Sequence, residues 1–214
     1  MDVRMFTLGM IQENAFLVRR PGAAEAVIVD PGDEAPKLLA AFEELGVTLA
    51  GILVTHTHFD HIGAVADLHD ATGAEVWCPA GEVEILRDPN AVMRWEGFGP
   101  FRGYDPEHLV KGGDVVSLAG FDFQVVSTPG HSPDHVTYAL PEEGALFSGD
   151  VLFQGSIGRT DLPGADHATL LASIATLLER FDDATTVFPG HMGPTTLGRE
   201  RQTNPFLLDL PKPA

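Results

Sequence analysis

Cysteine occurs once in these 214 residues, tryptophan and tyrosine twice each, and lysine plus arginine only 13 times against 31 acidic side chains. A lone cysteine, Cys78, excludes an internal disulfide and suits a reducing cytoplasm. In "EVWCPA" it reads as a small buried hydrophobe, and nothing beside it would make a reactive thiolate. The formal charge of −18 repels phosphate backbones and anionic lipid surfaces, so neither nucleic acid nor a membrane is expected as a partner. No apolar run reaches the 18 or so residues a membrane span needs. The start, "MDVRMFTLGMIQEN", has no charged region followed by a long apolar one, so no secretory signal is expected and the cytoplasm is the expected location. What the chain does hold is 44% hydrophobic residues, enough for one sizeable core or two closely fused halves.

Those apolar residues alternate between strand and helix patterns. "AFLVRR" and "AEAVIVD" read as strands, the second ending at Asp30 in the turn "DPGD". "EAPKLLAAFEELG" has helical spacing and stops at Gly46. "LAGILVT" is continuously apolar, as in a strand covered on both faces, and "IGAVADLHDATG" reads as the helix after it. Residues 88–109 carry Pro, Gly and aromatics without a period, which predicts a long loop. "GDVVSLAGFDFQVVSTPG" reads as a hairpin-like pair, followed by strands "VTYAL" and "GALFSGD", a helix from His167 to Arg180 and a last strand "TTVFPGH". Two strand-rich halves with helices outside predict an α/β fold, a four-layered α/β/β/α sandwich.

Between "LAGILVT" and its helix lies "THTHFDH", three histidines and an aspartate in seven positions. A single histidine is ordinarily a polar surface residue, but four ligand-type side chains this close would be hard to satisfy without a metal. In extended chain, residues two apart share a face, so His56 and His58 converge on one ion. Asp60 and His61 sit at the turn into the helix and point elsewhere, toward a second ion. His131 in "TPGHS", Asp150 in "FSGD" and His191 in "FPGH" each follow an apolar β run and a glycine turn, which delivers them to the same sheet edge. The remaining histidines, His69, His108, His135 and His167, read as surface groups or as groups behind the site. His135 is the least clear-cut of the four because it lies four residues past His131.

The set "THTHFDH", "TPGHS", "SGD" and "FPGH" resembles the metallo-β-lactamase superfamily, whose metal motif is H-x-H-x-D-H with two later histidines and a bridging aspartate. The resemblance covers essentially the whole chain and implies the same α/β/β/α sandwich. It implies that His56, His58 and His131 hold a first divalent ion, that Asp60, His61 and His191 hold a second, and that Asp150 bridges them. Asp30, in "VIVDPG", matches an aspartate that braces the ligand loop from behind. Asp60 and Asp150 are the carboxylates expected to serve catalysis. Imidazole and carboxylate donors suit Zn, with Fe or Mn as alternatives. "GDVLFQGSIGRTDLPGAD" and "GPTTLGRERQTNPFL" are similar to the short hydroxyacylglutathione hydrolases, the compact type of glyoxalase II. The expectation is a single domain over residues 1–214, without the C-terminal helical region that binds glutathione in longer relatives.

The expected chemistry is hydrolysis of a small-molecule thioester, with the 2-hydroxyacyl-thiol kind leading, because two divalent ions sharing a water lower its pKa to about 7 and a thiolate leaves readily. The alternative is a persulfide dioxygenase with a single iron, which shares H-x-H-x-D-H and "GRTD". An antibiotic lactamase fits less well, since those enzymes commonly place a cysteine where this chain has Asp150. Two departures from the family pattern flank the site: Asp134 stands in "GHSPDH" where a glycine is usual, and Met192 is inserted in "PGHMGP". Arg159 in "GRTD" reads equally as a functional residue and as half of an Arg–Asp pair. Trp95, Phe98, Phe101 and Tyr104 read first as packing under the long loop and second as the cover of a pocket. "GRERQTNPF" reads as a docking segment for the C-terminus.

Overall fold

Strands buried on both faces dictate the centre of the molecule. The computed structural model describes residues 1–92 and 97–208. One six-stranded sheet runs, in spatial order, β1 (Asp2–Leu8), β2 (Glu13–Arg19), β3 (Glu25–Val29), β4 (Thr48–Leu53), β5 (Val76–Pro79) and β6 (His108–Val110). β1, β2 and β3 pair antiparallel with one another in sequence, and β3 through β6 are parallel. The second half supplies β7 (Val115–Leu118), β8 (Phe121–Ser127), β9 (Val136–Leu140), β10 (Ala145–Gly149), a two-stranded ribbon of β11 (Leu152–Phe153) and β12 (Ser156–Ile157), β13 (Thr186–Pro189) and β14 (Thr195–Thr196). Without the ribbon these form a second six-stranded sheet, ordered β14-β13-β10-β9-β8-β7.

The helices are α1 (Ala35–Leu45), α2 (Phe59–Ile62), α3 (Val65–Thr72), α4 (Val83–Arg87), α5 (Pro89–Val92), α6 (His167–Arg180) and α7 (Leu197–Thr203). Side-chain alternation along the strands sorts apolar residues into three cores. In β2, Ala15 and Leu17 join Leu38 of α1 and Leu68 of α3, while Phe16 and Val18 face the other sheet and meet Phe123, Tyr138 and Phe147. In the second sheet Ala139, Leu146 and Val187 face outward and bury Leu170, Ile174 and Leu177 of α6 with Leu197 of α7. Helix, sheet, sheet and helix are therefore stacked as four layers. No helix among the described residues is long and apolar enough to cross a membrane.

The departures from the sequence reading have local causes. β1 went unread because its residues mix polar and apolar along an exposed edge, and β14 because it is two residues long. The helix expected over "IGAVADLHDATG" is interrupted after Ile62, so α2 and α3 are separate. The expected loop 88–109 contains α5, and His108 and Leu109 belong to β6, which pairs with β5. Trp95 lies outside the described residues. Tyr104 packs on the first core and against His69, with ring centroids 4.7 Å apart. Phe98 and Phe101 stack on Phe59 at 4.9 and 5.0 Å. The terminal docking segment is α7, which buries Glu200 and Leu197.

The strand ends deliver the ligand-type side chains. Asp30 follows β3, Thr55 to His61 follow β4, His131 follows β8, Asp150 follows β10 and His191 follows β13. Two of these ends are pressed together at Gly32, where a Cβ would lie 1.5 Å from the carbonyl oxygen of Asp60 and 2.7 Å from Glu13 Oε2. Gly32→Ala should therefore push α2 off the β3 turn and cost about 3 kcal/mol, the upper part of the overpacking range, as measured by urea unfolding. A loss below about 0.5 kcal/mol, the ordinary scatter of surface substitutions, would show that turn and helix separate freely.

Candidate metal centre

The turn at the end of β4 is extended through His58, which caps α2, so His56 and His58 project to one side and Asp60 and His61 leave from the helix. His56, His58 and His131 come together: His56 Nε2 lies 3.1 Å and His131 Nε2 2.8 Å from His58 Nδ1. Asp60, His61 and His191 form a second group, with Asp60 Oδ2 3.6 Å from His61 Nε2 and 3.2 Å from His191 Nε2. Asp150 stands between the groups. Its Oδ1 is 3.3 Å from His61 Nε2, and its Oδ2 is 3.4 Å from His131 Nε2 and 3.6 Å from His191 Nε2. Donors bonded to one ion at about 2.1 Å would be separated by about 3.0–3.4 Å in octahedral or tetrahedral geometry, and these separations scatter around that range.

The ring nitrogens that face away from the cluster are tied to acceptors. His56 Nδ1 is 3.1 Å from Thr55 Oγ1, His61 Nδ1 is 3.0 Å from Asp30 Oδ2, and His131 Nδ1 is 2.9 Å from the carbonyl oxygen of Arg159. Donation at Nδ1 leaves the lone pair of each Nε2 directed at the cluster. His61 Nε2 and Asp150 Oδ1 are buried, and among the described residues neither has a hydrogen-bond partner. Orphaned buried polar atoms of this kind cost free energy unless a ligand satisfies them. Space is kept for one, because a Cβ on Gly190 would come within 2.4 Å of Asp150 Oδ1 and 2.6 Å of His61 Cε1. The donor set thus fits two divalent cations: imidazole nitrogens, carboxylate oxygens and unsatisfied atoms pointing inward.

Electrostatics divides the groups in the same way. Burial, then the surrounding imidazoles, holds His56 well below the usual histidine range. Burial followed by His131 pushes His58 down to about 3. Burial opposes charge on His61 too, but Asp60 and Asp150 outweigh it and raise its pKa. The same competition, with Asp60 the chief partner, raises His191. Burial also disfavours the carboxylates of Asp60 and Asp150, and the field of His61 overcomes it and keeps both ionised.

The supports around the donors are less visible in sequence. Asp30, read from its motif, accepts from Thr55 N and Thr55 Oγ1, both at 2.7 Å, as well as facing His61. Asn14 of β2 went unread, yet its side chain donates to the carbonyls of Pro189 at 3.1 Å and Met192 at 2.7 Å, pinning the turn that carries His191. Met192 has a φ of 67° and its side chain is exposed. His135 is one of the groups behind the site: buried, it accepts from Asp150 N at 3.2 Å and contacts Thr128 Oγ1 at 3.0 Å. His69, His108 and His167 lie outside the cluster, hydrogen-bonded to Ala74, Glu75 and Thr160. Glu13 also went unread. It is buried beyond His61, with Oε1 3.8 Å from Nδ1, and burial raises its pKa well above the carboxylate range. Only the "QEN" before an apolar strand could have flagged Glu13 and Asn14 as polar side chains forced inward. Arg159 forms a two-pronged ion pair with Asp161 at 2.7 and 2.8 Å, while its carbonyl holds His131.

A cavity of about 440 Å³ opens over both groups. Its floor includes His58, Asp60, His131, Asp150 and His191, and its walls include Phe59, Phe98, Phe153, Ile157, Leu162 and Arg159. Phe98 thus lines the site, the role that the sequence reading ranked behind ordinary packing. The family model for the metallo-β-lactamase superfamily matches residues 8–191. The chain belongs to that superfamily. It is 36% identical over 214 residues to the hydroxyacylglutathione hydrolase GloC of Haemophilus influenzae, covering 97% of this chain and 98% of the relative. Among solved structures it is similar to the BLEG-1 B3 metallo-β-lactamase, with 42% identity and a TM-score of 0.90 over 96% of this chain and 99% of that one. It is also similar to TTHA1623 in a di-iron-bound form, with 44% identity and a TM-score of 0.86 over 96% of this chain and 100% of that one. The superfamily match, the clustered donors and the di-iron relative together fit a two-ion centre.

The geometry sets two outcomes. Asp30→Ala removes the acceptor for Thr55 and His61 and should weaken metal affinity about 10–100-fold while the fold persists; chelator competition beside circular dichroism checks it, and unchanged affinity would reduce Asp30 to a turn residue. The second concerns pH. His58 titrates at about 3 in the fold against about 6.5 in an unfolded chain. Between those values only the unfolded state carries the proton, so the stability contribution is complete above about pH 6.5 and is lost as pH falls toward 3. In metal-free protein, any stability advantage of wild type over His58→Asn should shrink steadily between pH 7.5 and 4.5. Parallel urea curves for the two proteins would remove His58 from this role.

Proposed function

We propose that this metallo-hydrolase cleaves thioesters, of the 2-hydroxyacyl-thiol type, at a centre of two divalent ions. In this reading His56, His58 and His131 hold one ion, Asp60, His61 and His191 hold the other, and Asp150 serves both. The observation that carries the reading is that members of both donor groups, His58 and His131 of one and Asp60 and His191 of the other, lie with Asp150 on the floor of one cavity with a largely apolar wall. When bound, the ions supply a water acidic enough to act as hydroxide near neutral pH and polarise a carbonyl oxygen. The chain's own residues do the rest. Phe59, Phe98, Phe153 and Ile157 take a short acyl chain and thin out competing water. Asp60 and Asp150, the carboxylates on the cavity floor, orient an attacking water. His135 fixes the backbone of Asp150 and Asn14 that of the His191 turn, so the donors need no rearrangement during the reaction.

Several findings support thioester specificity and metal choice. The full-length likeness to a protein named hydroxyacylglutathione hydrolase favours a hydroxyacyl thioester. Imidazole and carboxylate donors suit Zn, Fe or Mn, and the di-iron form of TTHA1623 gives iron standing beside zinc. The single, buried Cys78 fits a reducing cytoplasm. The likeness to BLEG-1 makes β-lactam hydrolysis the second reading. The test presents one lactoyl group on several thiols, a chromogenic cephalosporin, and glutathione persulfide with oxygen-uptake detection, to protein whose metal content has been measured. The expected result is two ions per chain and thioester cleavage with loose demands on the thiol. Cephalosporin turnover alone would favour the lactamase reading. One ion, with oxygen consumed and no thioester cleaved, would favour a single-iron dioxygenase.

A further inference from the structure

Glu82 belongs to neither donor group, yet it is bonded to both loops that carry one of them. It ends the 3₁₀ turn Ala80–Glu82 that follows β5, and it is 1% exposed. Its carboxylate oxygens are divided between two loops. Oε2 accepts from Thr57 N at 3.1 Å and from Thr57 Oγ1 at 2.7 Å. Oε1 accepts from Ser132 Oγ at 2.5 Å and from Asp134 N at 3.3 Å. Thr57 separates His56 from His58, and Ser132 follows His131. The turn is docked in return, because Asp134 Oδ2 accepts from Gly81 N at 2.5 Å. This gives Asp134, the departure from the usual glycine, a definite task.

The second donor group has other supports. Asp30 holds His61, and Asn14 holds the turn of His191. Among the described residues Glu82 forms no ion pair, so its buried carboxyl oxygens are met by four donors, all from the two loops. A buried carboxylate is a poor device for stability by itself, since apolar packing does as well or better. It is a good device for fixing distance, because two oxygens about 2.2 Å apart on a planar group leave the two loops little freedom to separate. The quantity so fixed is the 2.8 Å between His58 Nδ1 and His131 Nε2.

We propose that Glu82 is a positioning residue for the His56, His58 and His131 group: it clamps the His58 loop to the His131 loop and so sets the affinity of that group for its ion, leaving the Asp60, His61 and His191 group unaffected. The clamp rests on the two-ion reading for its effect on metal, but not for its existence. The experiment titrates zinc into metal-free wild type and Glu82→Gln, following the imidazole resonances of His131 and His191 to tell which group fills. Glu82→Gln should weaken filling at His131 about 10–100-fold and leave filling at His191 within about twofold. Amide exchange in the metal-free protein reads the clamp directly: Thr57 and Asp134 amides should exchange faster in Glu82→Gln, while the Thr55 amide, held by Asp30, should not. Should Glu82→Gln fail to fold, Ser132→Ala removes one donor from the opposite side and should weaken the His131 group about fivefold, the worth of one hydrogen bond. Equal weakening of both groups, or a lower Tm with both affinities kept, would overturn the proposal in favour of a purely structural role. If wild type takes up one ion, the two-ion reading fails, and unchanged exchange at Thr57 and Asp134 would separately reject the clamp.

Discussion

Five imidazoles are packed out of water within ring-centroid distances as short as 4.1 Å, and the rest of the molecule is arranged around that fact. A buried imidazole must lodge two nitrogens, and one left without a partner costs on the order of 1–3 kcal/mol. The fold answers by giving outward nitrogens fixed acceptors: Thr55, Asp30 and the Arg159 carbonyl. Every such acceptor sits at a strand end or in the loop just after one. The sandwich is well suited to this, because parallel strands deliver their carboxyl ends to one edge and two sheets deliver two sets of ends to the same cleft.

The rigidity of the cleft comes from apolar packing that never touches it. Phe16, Val27 and Leu53 of the first sheet interlock with Phe123, Tyr138 and Phe147 of the second, all nearly or fully buried. Each such side chain contributes roughly 1.5–3 kcal/mol on burial, and that surplus offsets the unfavourable desolvation of the carboxylates and imidazoles at the sheet edge. Tyr138 joins the two tasks, since its ring lies in the inter-sheet core and its hydroxyl donates to the carbonyl of Val54, just before the histidine loop.

The candidate donors were legible because each lies in a turn or short helix that follows an apolar strand, a local contradiction that shows in one dimension. The four layers were legible for a similar reason, since β3 and β4 are apolar without a break. What stayed hidden was held by distant partners. Nothing near Asn14 announces that it meets residues 175 and 178 positions away. Glu82 lies in an ordinary acidic stretch, "GEVE", and only tertiary packing turns it inward. Phe98 lies in a segment without periodicity, so its place on the cavity wall depends on the stacking with Phe59. Edge strand β1 escaped because an edge has a wet face and weak alternation, and β14 because two residues carry no pattern.

The contact between Asn14 and the Met192 carbonyl spans almost the whole polypeptide. Contacts of such separation form late, because the entropy of closing a long loop must be overcome before they are rewarded. The histidine loop after β4 and its brace Asp30 lie close together in the chain, so they can be organised early in synthesis. The turn bearing His191 can be locked only once the 178 positions that separate Met192 from Asn14 have been made. Synthesis therefore presents the parts in order: the histidine loop and its brace are in the chain long before the turn that completes the second donor group.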